Sequence, residues 1–189
     1  MRHRAVAQAI PESELIAACR RGDPAAQRRV FDQYRDRVYT IALRYLKGDD
    51  AGAQDVTQDV FVRAFRALPT FRADARLSTW LYRVVVNACL DELRRRRKVL
   101  HFGDVPPGLH PAVPPTEPRE RDPEVAQALG RLTPKLRMAV LLRHYEDLSY
   151  DEMAEALGCS PGTVASRLSR AHAQLARELA HRREGGTDD

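Results

Sequence analysis

Short polar side chains and arginines alternate with apolar residues in the stretch GCSPGTVASRLSRAHAQL, residues 158–175. On a helix, which turns about 100° per residue, the apolar residues of this stretch share one side. The opposite arc carries hydroxyl, amide and guanidinium groups, from Thr163, Ser166, Arg167, Arg170, Gln174 and Arg177. Such groups bond to base edges and phosphates in a DNA major groove, where one arginine–guanine pair contributes ~1–3 kcal/mol of discrimination. No acidic residue occurs between Ser160 and Ala176, which favours DNA contact over a merely solvated face.

A helix-turn-helix is the element that would present this arc. Helix starts are predicted by three capping patterns, at Thr133-Pro134, at Ser149 with Glu152, and at Ser160-Pro161. The spacing of Ala154, Gly158 and Val164 is typical of this motif. The small Ala154 lets two helices approach, Gly158 permits a tight turn between them, and the Val164 side chain fills the space where they cross. A small core is expected from Met153, Leu157, Cys159, Val164 and Leu168, and His172 is expected to pack rather than to read bases.

A second basic and aromatic cluster follows Ser78. A helix from this residue would place Leu81, Val84, Val85, Ala88 and Cys89 on one side, and Trp80, Arg83, Asn87, Asp91 and Arg94 on the other. An aromatic ring, two arginines and an amide together suit nucleic-acid binding. Arg72 and Arg76 upstream, and the run RRRRK at 94–98, would add salt-dependent attraction to phosphate. The ring of Trp80 suits base stacking and core packing equally.

The segment QDVTQDVFVRAF, residues 54–65, has a different outer face. Its polar residues Asp55, Gln58, Asp59 and the following Arg66 surround Val62, which points away from the apolar stripe. Because carboxylates repel phosphate, a protein helix is a better partner for this face than DNA. The alternative to a docking face is an ordinary solvent-exposed helix on which Val62 is a single exposed apolar residue.

The spacing of apolar residues predicts an all-α fold in two small helical domains. In the first domain, helices are expected from Pro24 to Gly48, over about 53–68, and from Ser78 into the basic run. Only VYTIAL, residues 38–43, competes as a strand. Seven of the twelve prolines lie between Pro106 and Pro123, which predicts a flexible linker. We therefore expect domains at 10–98 and 124–180, the linker at 99–123 and a disordered tail at 181–189.

Composition limits the classes of function. The 189 residues are 43% hydrophobic and 30% charged, with a formal net charge of +5, and no run approaches the length of a membrane span. Cys19, Cys89 and Cys159 lie far apart, without the spacing of a metal site, so we expect reduced core cysteines. No signal-peptide pattern or catalytic motif is present. The expectation is a cytoplasmic, non-enzymatic protein with neither cofactor nor metal.

Three motifs in order resemble those of the bacterial extracytoplasmic-function (ECF) sigma factors: QDVTQDVFVRAF, then FRADARLSTWLYRVVVNACLDELRRRR, then LRHYEDLSYDEMAEALGCSPGTVASRLSRAHAQL. The resemblance covers both predicted domains. It implies a region 2 helical bundle at 10–98 and a region 4 helix-turn-helix domain at 124–180. It further implies a non-enzymatic factor that binds RNA polymerase core and directs it to promoters.

The resemblance also implies roles for individual residues. Binding to the clamp helices of the polymerase β′ subunit would involve Asp55, Gln58, Asp59, Val62 and Arg66. Melting and capture of the −10 element would involve Phe71, Arg72, Ser78, Thr79, Trp80, Arg83, Asn87 and Arg94. Recognition of the −35 element as duplex would involve Ser160, Thr163, Ser166, Arg167, Arg170 and Gln174.

Three positions depart from the family pattern. Ala165 stands where Lys or Arg is common and His172 where Arg is frequent, so one or two phosphate contacts would be missing. Asp59 replaces the usual Glu, which keeps the charge and shortens the reach. The resemblance implies an anti-sigma partner, and a monomer when bound to core. Two rival functions remain from the residues alone: a dimeric helix-turn-helix repressor or activator, and a module that titrates another regulator.

Overall fold

The computed structural model describes residues 11–71, 76–102 and 123–185, and all regular structure among them is helical. The N-terminal bundle consists of α1 (Glu12–Arg20), α2 (Pro24–Tyr45), α3 (Asp50–Ala67), a 3-10 turn (Leu68–Thr70) and α4 (Leu77–Phe102). The C-terminal bundle consists of α5 (Pro123–Arg131), α6 (Pro134–Glu146), α7 (Tyr150–Leu157) and α8 (Pro161–Gly185). The predicted all-α fold in two helical units is confirmed.

Local capping explains where several of these helices begin. The Asp23 carboxylate accepts a hydrogen bond from the backbone N–H of Ala25 at 2.8 Å, and Pro24 occupies the first helical position of α2. At α7, the Ser149 hydroxyl accepts from the Glu152 N–H, and the Glu152 carboxylate accepts from the Ser149 N–H at 2.9 Å. This is the predicted capping box, formed in both directions.

Helix α1 is absent from the sequence-based prediction. It buries Ile16 and Cys19 and packs against α2 and the 3-10 turn. Its Glu12 carboxylate accepts a hydrogen bond from the N–H of Leu77 at 3.0 Å, so it satisfies a free donor at the start of α4. Pro11 followed by two acidic residues is a helix-start signal that the apolar spacing alone does not register.

The core of the N-terminal bundle lies among α2, α3 and α4. The predicted stripe of α2 is buried, and Val38 and Ile41 within it belong to a helix rather than to a strand. From α4, the residues that complete this core include Leu81, Val85 and Cys89. Because these stripes repeat every three or four residues, each helix keeps a polar side free for solvent or partners.

The C-terminal bundle contains the predicted helix-turn-helix, formed by α7 and α8. Gly158 caps α7 with φ of +60°, a left-handed conformation that glycine adopts without steric cost. Val164 is fully buried at the crossing, and Met153 lies in the same core. Helices α5 and α6 both pack on α8. Helix α5 is an element that the sequence analysis did not predict.

Two predicted boundaries differ from the structure. Helix α4 continues to Phe102, four residues into the segment predicted as linker, and α8 continues to Gly185 within the segment predicted as disordered tail. The residues VLHF at 99–102 include no helix breaker, and in HRREG at 181–185 glycine comes only at the last position, so the ladder of backbone hydrogen bonds continues through both extensions. The remaining linker and tail residues, 103–122 and 186–189, lie outside the described residues.

The three cysteines are free. Cys19 and Cys89 are buried and Cys159 is half-buried, which agrees with the predicted reduced core cysteines. Burial raises the pKa of Cys89 to about 12, which keeps this thiol protonated near neutral pH. Among the described residues, no helix is both long enough and apolar enough to cross a membrane.

The two bundles pack against each other. Helix α6 and helix α5 lie against α2, and α7 lies against α4. We call this contact zone the seam. It brings the helix-turn-helix beside the start of α4, where the second predicted nucleic-acid surface lies.

Replacing Gly158 with alanine tests the turn of the helix-turn-helix. No atom lies within 4 Å of an added Cβ, so the cost comes from the left-handed backbone alone, and Gly158→Ala should lower the free energy of unfolding by about 1 kcal/mol. Gly130→Ala is the matched control, because that site is equally open but helical and alanine should be neutral or stabilising there. Urea unfolding followed by circular dichroism measures both, and equal effects would contradict the explanation.

Candidate functional site

The outer face of α8 is polar and basic, as predicted. Its inner stripe of Val164, Leu168 and Ala171 is buried. On the other side Ser166 and Arg170 are exposed, while Thr163 and Arg167 are half-buried. The face therefore combines hydroxyl and guanidinium donors on a helix whose position is determined by its buried side, the arrangement that enters a major groove.

Several polar groups on this face are already engaged with one another. The Ser160 hydroxyl accepts from the Thr163 N–H at 3.2 Å and lies 2.9 Å from the Thr163 hydroxyl, so Ser160 caps the helix. The Arg170 guanidinium donates to the Ser166 carbonyl at 3.2 Å and to the Ser166 hydroxyl at 3.1 Å. To reach a base edge, this guanidinium would have to leave its own helix.

Gln174 and His172 lie where α8 meets the rest of its bundle. The Gln174 amide donates to the carbonyl of Arg131 at 3.4 Å, across to the end of α5. The His172 ring is exposed rather than packed in the core, and its Nε2 lies 3.2 Å from Nε2 of His144 on α6. Burial and the neighbouring His172 lower the pKa of His144. Gln174 is thus held against α5 in this arrangement, and His172 contacts a neighbouring helix.

The aromatic residues before and within α4 form a pair. Phe71 is buried, and its ring centroid lies 5.0 Å from that of Trp80. Trp80 is only half-buried, so its ring packs against the core and keeps part of its surface open. Both interpretations of Trp80 from the sequence fit this position. Arg72, which was grouped with these residues, lies outside the described residues.

The polar residues of α4 divide into exposed and inaccessible ones. Arg83 and Asn87, one turn apart, are exposed and share a face. Ser78 is half-buried. Thr79 is 1% exposed, and its hydroxyl has no hydrogen-bond partner among the described residues. In this arrangement the Thr79 side chain is therefore inaccessible, and its role at the −10 element stays a prediction.

Much of the basic run at 94–98 is paired within the protein. Arg94 donates to Asp91 at 3.2 Å. Arg95 and Arg96 both contact the carboxylate of Glu92. Arg96 also reaches Asp49 at 2.5 Å. These ion pairs cancel part of the phosphate attraction that the run predicts from sequence.

The α3 face contains a network of charges beside an exposed valine. Asp55, Gln58 and Arg66 are exposed, and Val62 retains 41% of its surface. The fourth polar residue of this face, Asp59, is held by Arg63, with Nη2 and Oδ2 2.7 Å apart. Arg63 in turn contacts Asp91 of α4 at 2.7 Å.

An aromatic groove of about 460 Å³ opens next to Val62. Its lining includes three rings in tilted contact, with the Phe31 and Phe61 centroids 4.8 Å apart and those of Phe61 and Phe65 5.9 Å apart. Tyr39 lines it too, and its hydroxyl donates to Asp50, an interaction that raises the pKa of Tyr39 to about 12. The sequence analysis missed this groove, although Phe61 and Phe65 at a spacing of four residues were a signal for it.

The fold and these surfaces are those of a two-bundle helical protein of the helix-turn-helix class, with a second, mixed polar and apolar face on α3. Among the described residues, no cluster of three or more His, Cys, Asp or Glu side chains could hold a metal ion.

Comparison with protein families and curated relatives gives the particular family. The sigma-70 region 2 family matches residues 30–99, and the sigma-70 region 4 family matches residues 123–175. The ECF sigma factor SigM of Mycobacterium tuberculosis H37Rv is 36% identical over 174 residues, which cover 92% of this chain and 87% of SigM. The ECF sigma-E factor of Escherichia coli K12 is 31% identical, over 88% of this chain and 93% of its own length.

Two solved structures, one of them of a sigma factor, have a similar fold. CnrH, in complex with the cytosolic domain of CnrY, aligns with a TM-score of 0.68 and 25% identity, over 90% of this chain and 97% of CnrH. RpoE of Bartonella quintana, in complex with the anti-sigma factor NepR, aligns with a TM-score of 0.66 and 25% identity, over 81% of this chain and 96% of RpoE.

The chain belongs to the ECF sigma factors of the sigma-70 family. It is an RNA polymerase sigma factor that directs promoter-specific transcription initiation, as the resemblance of its motifs implied. This result decides against the dimeric repressor and the titrating module as the main function. Sigma factors as a class are not enzymes.

The ion pair between Arg63 and Asp91 should be visible in the titration of Asp91. Hydrogen bonding to Arg63 holds the pKa of Asp91 below its ordinary value. The ion pair therefore stabilises the fold at pH values above that ordinary pKa, and this stabilisation is lost as the pH falls through the lowered pKa. In Arg63→Gln the pKa of Asp91 should rise, as followed by carboxyl NMR titration. Arg28→Gln is the control, because Arg28 pairs with Asp32 on α2 instead. A pKa of Asp91 that is the same in all three proteins would contradict the ion pair.

Proposed function

We propose that the two bundles divide the work of promoter recognition. The N-terminal bundle, within residues 10–98, binds polymerase core and the unpaired −10 strand. The C-terminal bundle, within 124–180, reads the −35 element as duplex, and residues 99–123 join the two. The observation that carries this proposal is that the acid-free face of α8 and the acidic, apolar face of α3 lie on different bundles.

At the −35 element, the outer face of α8 enters the major groove. Arg167 has no hydrogen-bond partner among the described residues, so its guanidinium can pair with a guanine without losing a protein contact. Arg170 and Ser166 would exchange their mutual bonds for bonds to DNA. Ser160 and Thr163, at the helix start, lie where backbone N–H groups and the helix dipole favour phosphate. Gln174, turned toward α5, is the weakest of the proposed contacts.

At the −10 element, the start of α4 binds a melted strand. Unstacking DNA costs ~1.4 kcal/mol per base-pair step, and stacking on an aromatic ring can return ~1–3 kcal/mol per base. The Phe71–Trp80 pair supplies that aromatic surface, and Arg83 and Asn87 supply exposed donors beside it. Arg94, two turns further along, would contact phosphate. The proposal also includes Ser78, Thr79 and Arg72, the last of which lies outside the described residues.

Core polymerase binds the α3 face. An exposed valine beside an aromatic groove offers the apolar centre that a docked helix needs, and Asp55, Gln58, Asp59 and Arg66 provide a polar rim. Because Asp59 is held by Arg63, its carboxylate is oriented before a partner arrives. The β′ clamp helices are the proposed partner, in a complex with one copy of the chain.

An anti-sigma protein is proposed as the regulatory partner, because RpoE was solved with the anti-sigma factor NepR, and CnrH with the cytosolic domain of CnrY. The proposed place of action is the cytoplasm, where polymerase works. We further propose that the chain itself performs no catalysis and uses neither a cofactor nor a metal ion, so that all chemistry of RNA synthesis belongs to the polymerase.

The proposed function is tested by run-off transcription from a promoter library with purified core polymerase. Specific transcripts that depend on the chain are the expected result. An inactive mixture in which gel filtration also detects no core binding would reject the proposal.

For the docking face, Asp59→Ala should weaken core binding, because it removes a charge from the polar rim. Val62→Lys should weaken it too, since it places an ammonium group at the apolar centre. Asp32→Ala is the matched control, because Asp32 pairs with Arg28 four residues away as Asp59 does with Arg63, but on α2. Fluorescence anisotropy of labelled chain titrated with core measures all three. Equal affinities would contradict the docking role of α3.

For the recognition helix, Arg167→Ala should lower run-off transcription by about 5- to 150-fold, since one arginine–guanine pair contributes ~1–3 kcal/mol. Its affinity for core polymerase should remain that of the unmodified chain. Arg28→Ala, which removes an exposed arginine from the other bundle, should change neither quantity. If Arg167→Ala and Asp59→Ala impaired the same step, the proposed division of labour would be wrong.

A further inference from the structure

Two histidines from different helices meet on the surface of the C-terminal bundle. His144 lies in the last turn of α6 and His172 lies near the middle of α8, and both side chains are exposed while the seam is closed. Their Nε2 atoms are 3.2 Å apart, and their ring centroids are 5.4 Å apart with an angle of 61° between the rings. The two ring nitrogens therefore face each other, although 28 residues separate them along the chain.

A hydrogen bond between these two nitrogens requires one particular distribution of protons. One Nε2 has to carry a hydrogen and the other a free lone pair, because a neutral imidazole has one donor nitrogen and one acceptor nitrogen. After uptake of one proton, an imidazolium ring can lie beside a neutral ring whose hydrogen is on Nε2. The pair then carries one positive charge and presents two adjacent N–H donors, which cannot bond to each other but can bind one anion.

The surroundings of His144 keep it neutral near pH 7 in the free protein. Burial lowers the pKa of His144, the neighbouring His172 and Arg143 lower it further, and Asp147 raises it. The Arg143 guanidinium is engaged with the turn that follows α6, since it donates to the carbonyl of Leu148 at 2.7 Å. The pair is thus ready to gain a proton when an anion approaches, rather than already charged.

The other helices that pack on α6 and α8 also carry charged groups. None of these groups is among those that shift the pKa of His144. From α2, α5 and α7 they are Arg37, Arg44, Arg131, Asp151, Glu152 and Glu155. The charge of the histidine pair therefore depends on groups of α6, of α8 and of the turn after α6.

The position of His172 on α8 places it on one flank of the exposed side of this helix. Residues two apart on a helix point about 160° from each other, so Arg170 and His172 lie on opposite flanks. Ser169 and Ala173, which are exposed, lie between them on the outer side, and the buried Ala171 lies between them on the inner side. The histidine pair and Arg170 thus border the same outer surface from opposite sides.

A helix that enters a major groove has phosphates along both flanks. The groove is ~12 Å wide and a helix with its side chains is ~10–12 Å across, so each flank faces one DNA strand. Arg170 and Arg177 offer guanidinium groups on one flank. On the other flank, the neighbours of His172 within 161–180 are small residues without a charge: Ala165, Ser169 and Ala176.

We propose that His144 and His172 together form a proton-dependent site for one phosphate of the −35 duplex, on the flank of α8 opposite Arg170. The phosphodiester accepts hydrogen bonds from both Nε2–H groups, and the pair takes up one proton and gives up its own hydrogen bond as the DNA binds. The inference rests on the proposed reading of the −35 element by α8. It assigns a backbone contact to a flank where the sequence predicts that one is missing.

The direction of the pH dependence follows from this exchange. A bound phosphate favours the protonated pair, so the contact is fully present below the lowered pKa of free His144 and is lost as the pH rises through the pKa of the bound pair. A pair that only joins α6 to α8 predicts the opposite. Its hydrogen bond would break when both rings are protonated, and DNA binding would weaken in acid.

The test measures the affinity of the holoenzyme, made from the full chain and core polymerase, for a duplex promoter selected in the run-off experiment. A matching duplex with a scrambled −35 element serves as reference, and the ratio of the two affinities reports the contribution of α8. From pH 8 to pH 6 this ratio should rise by about three- to tenfold, the range for a charge-assisted contact that stays partly exposed to water.

Variants of the pair separate its titration from other effects of pH. His172→Gln and His144→Gln keep a polar side chain that cannot be protonated, so both should remove the rise. His172→Arg, which is charged at every pH, should bind at pH 8 as tightly as the unmodified chain binds at pH 6. His101→Gln is the matched control, because it removes a histidine from α4 of the other bundle and should keep the full rise. Thermal unfolding at both pH values verifies that each protein folds.

Salt dependence is a second readout, which a purely structural contact would not change. Each phosphate contact contributes about 0.9 to the slope of log affinity against log salt concentration. For the unmodified chain, the slope should be steeper at pH 6 than at pH 8 by about that amount. His172→Gln should give the same slope at both pH values.

Three results would overturn the phosphate site. They are an equal pH dependence in His172→Gln and His101→Gln, a His172→Arg variant that binds no better than His172→Gln at pH 8, and an affinity ratio that falls from pH 8 to pH 6 in the unmodified chain. A different failure concerns the proposed function itself. If the unmodified holoenzyme does not distinguish the intact from the scrambled −35 element at either pH, the −35 assignment is wrong and the inference falls with it.

Discussion

Helix α4 has three different environments along its sides, and the arrangement of both bundles depends on how its residues divide among them. One side, with Leu81 and Val85, completes the core of the N-terminal bundle. A second side, with Tyr82, faces the C-terminal bundle through Glu146. The third carries Arg83 and is exposed. Because successive residues of a helix point about 100° apart, one segment can serve all three, but no residue can serve two at the same time.

Charge in this protein acts locally. The formal +5 of the chain gives only a weak preference for DNA, since much of the basic run on α4 is paired with Asp91, Glu92 and Asp49. On the outer face of α8 no acidic residue occurs between Ser160 and Ala176, whereas Arg94, Arg95 and Arg96 of the more basic segment of α4 are paired with carboxylates. The same principle explains Arg137, whose buried charge is stabilised by the dipoles of backbone carbonyls and is shielded from a polyanion.

Polar groups of α4 and α8 are partly occupied within the protein. Helix α7 covers one side of α4, and the Arg170 guanidinium bonds to Ser166 of its own helix. A partner that bonded to Arg170 would replace these internal hydrogen bonds with its own, so the exchange would cost little free energy.

Residue types and spacing were enough to predict the helices whose caps and apolar spacing agree, such as α2 after Asp23 and α7 after Ser149. They also predicted the inner and outer sides of α8. These properties depend on neighbours within a few residues along the chain. Three other features became visible only in the folded chain: Thr79 is buried, Gln174 turns to α5, and an aromatic groove borders Val62. Those outcomes depend on residues distant in sequence that pack together, and a periodic pattern specifies which side of a helix is buried but not what covers it.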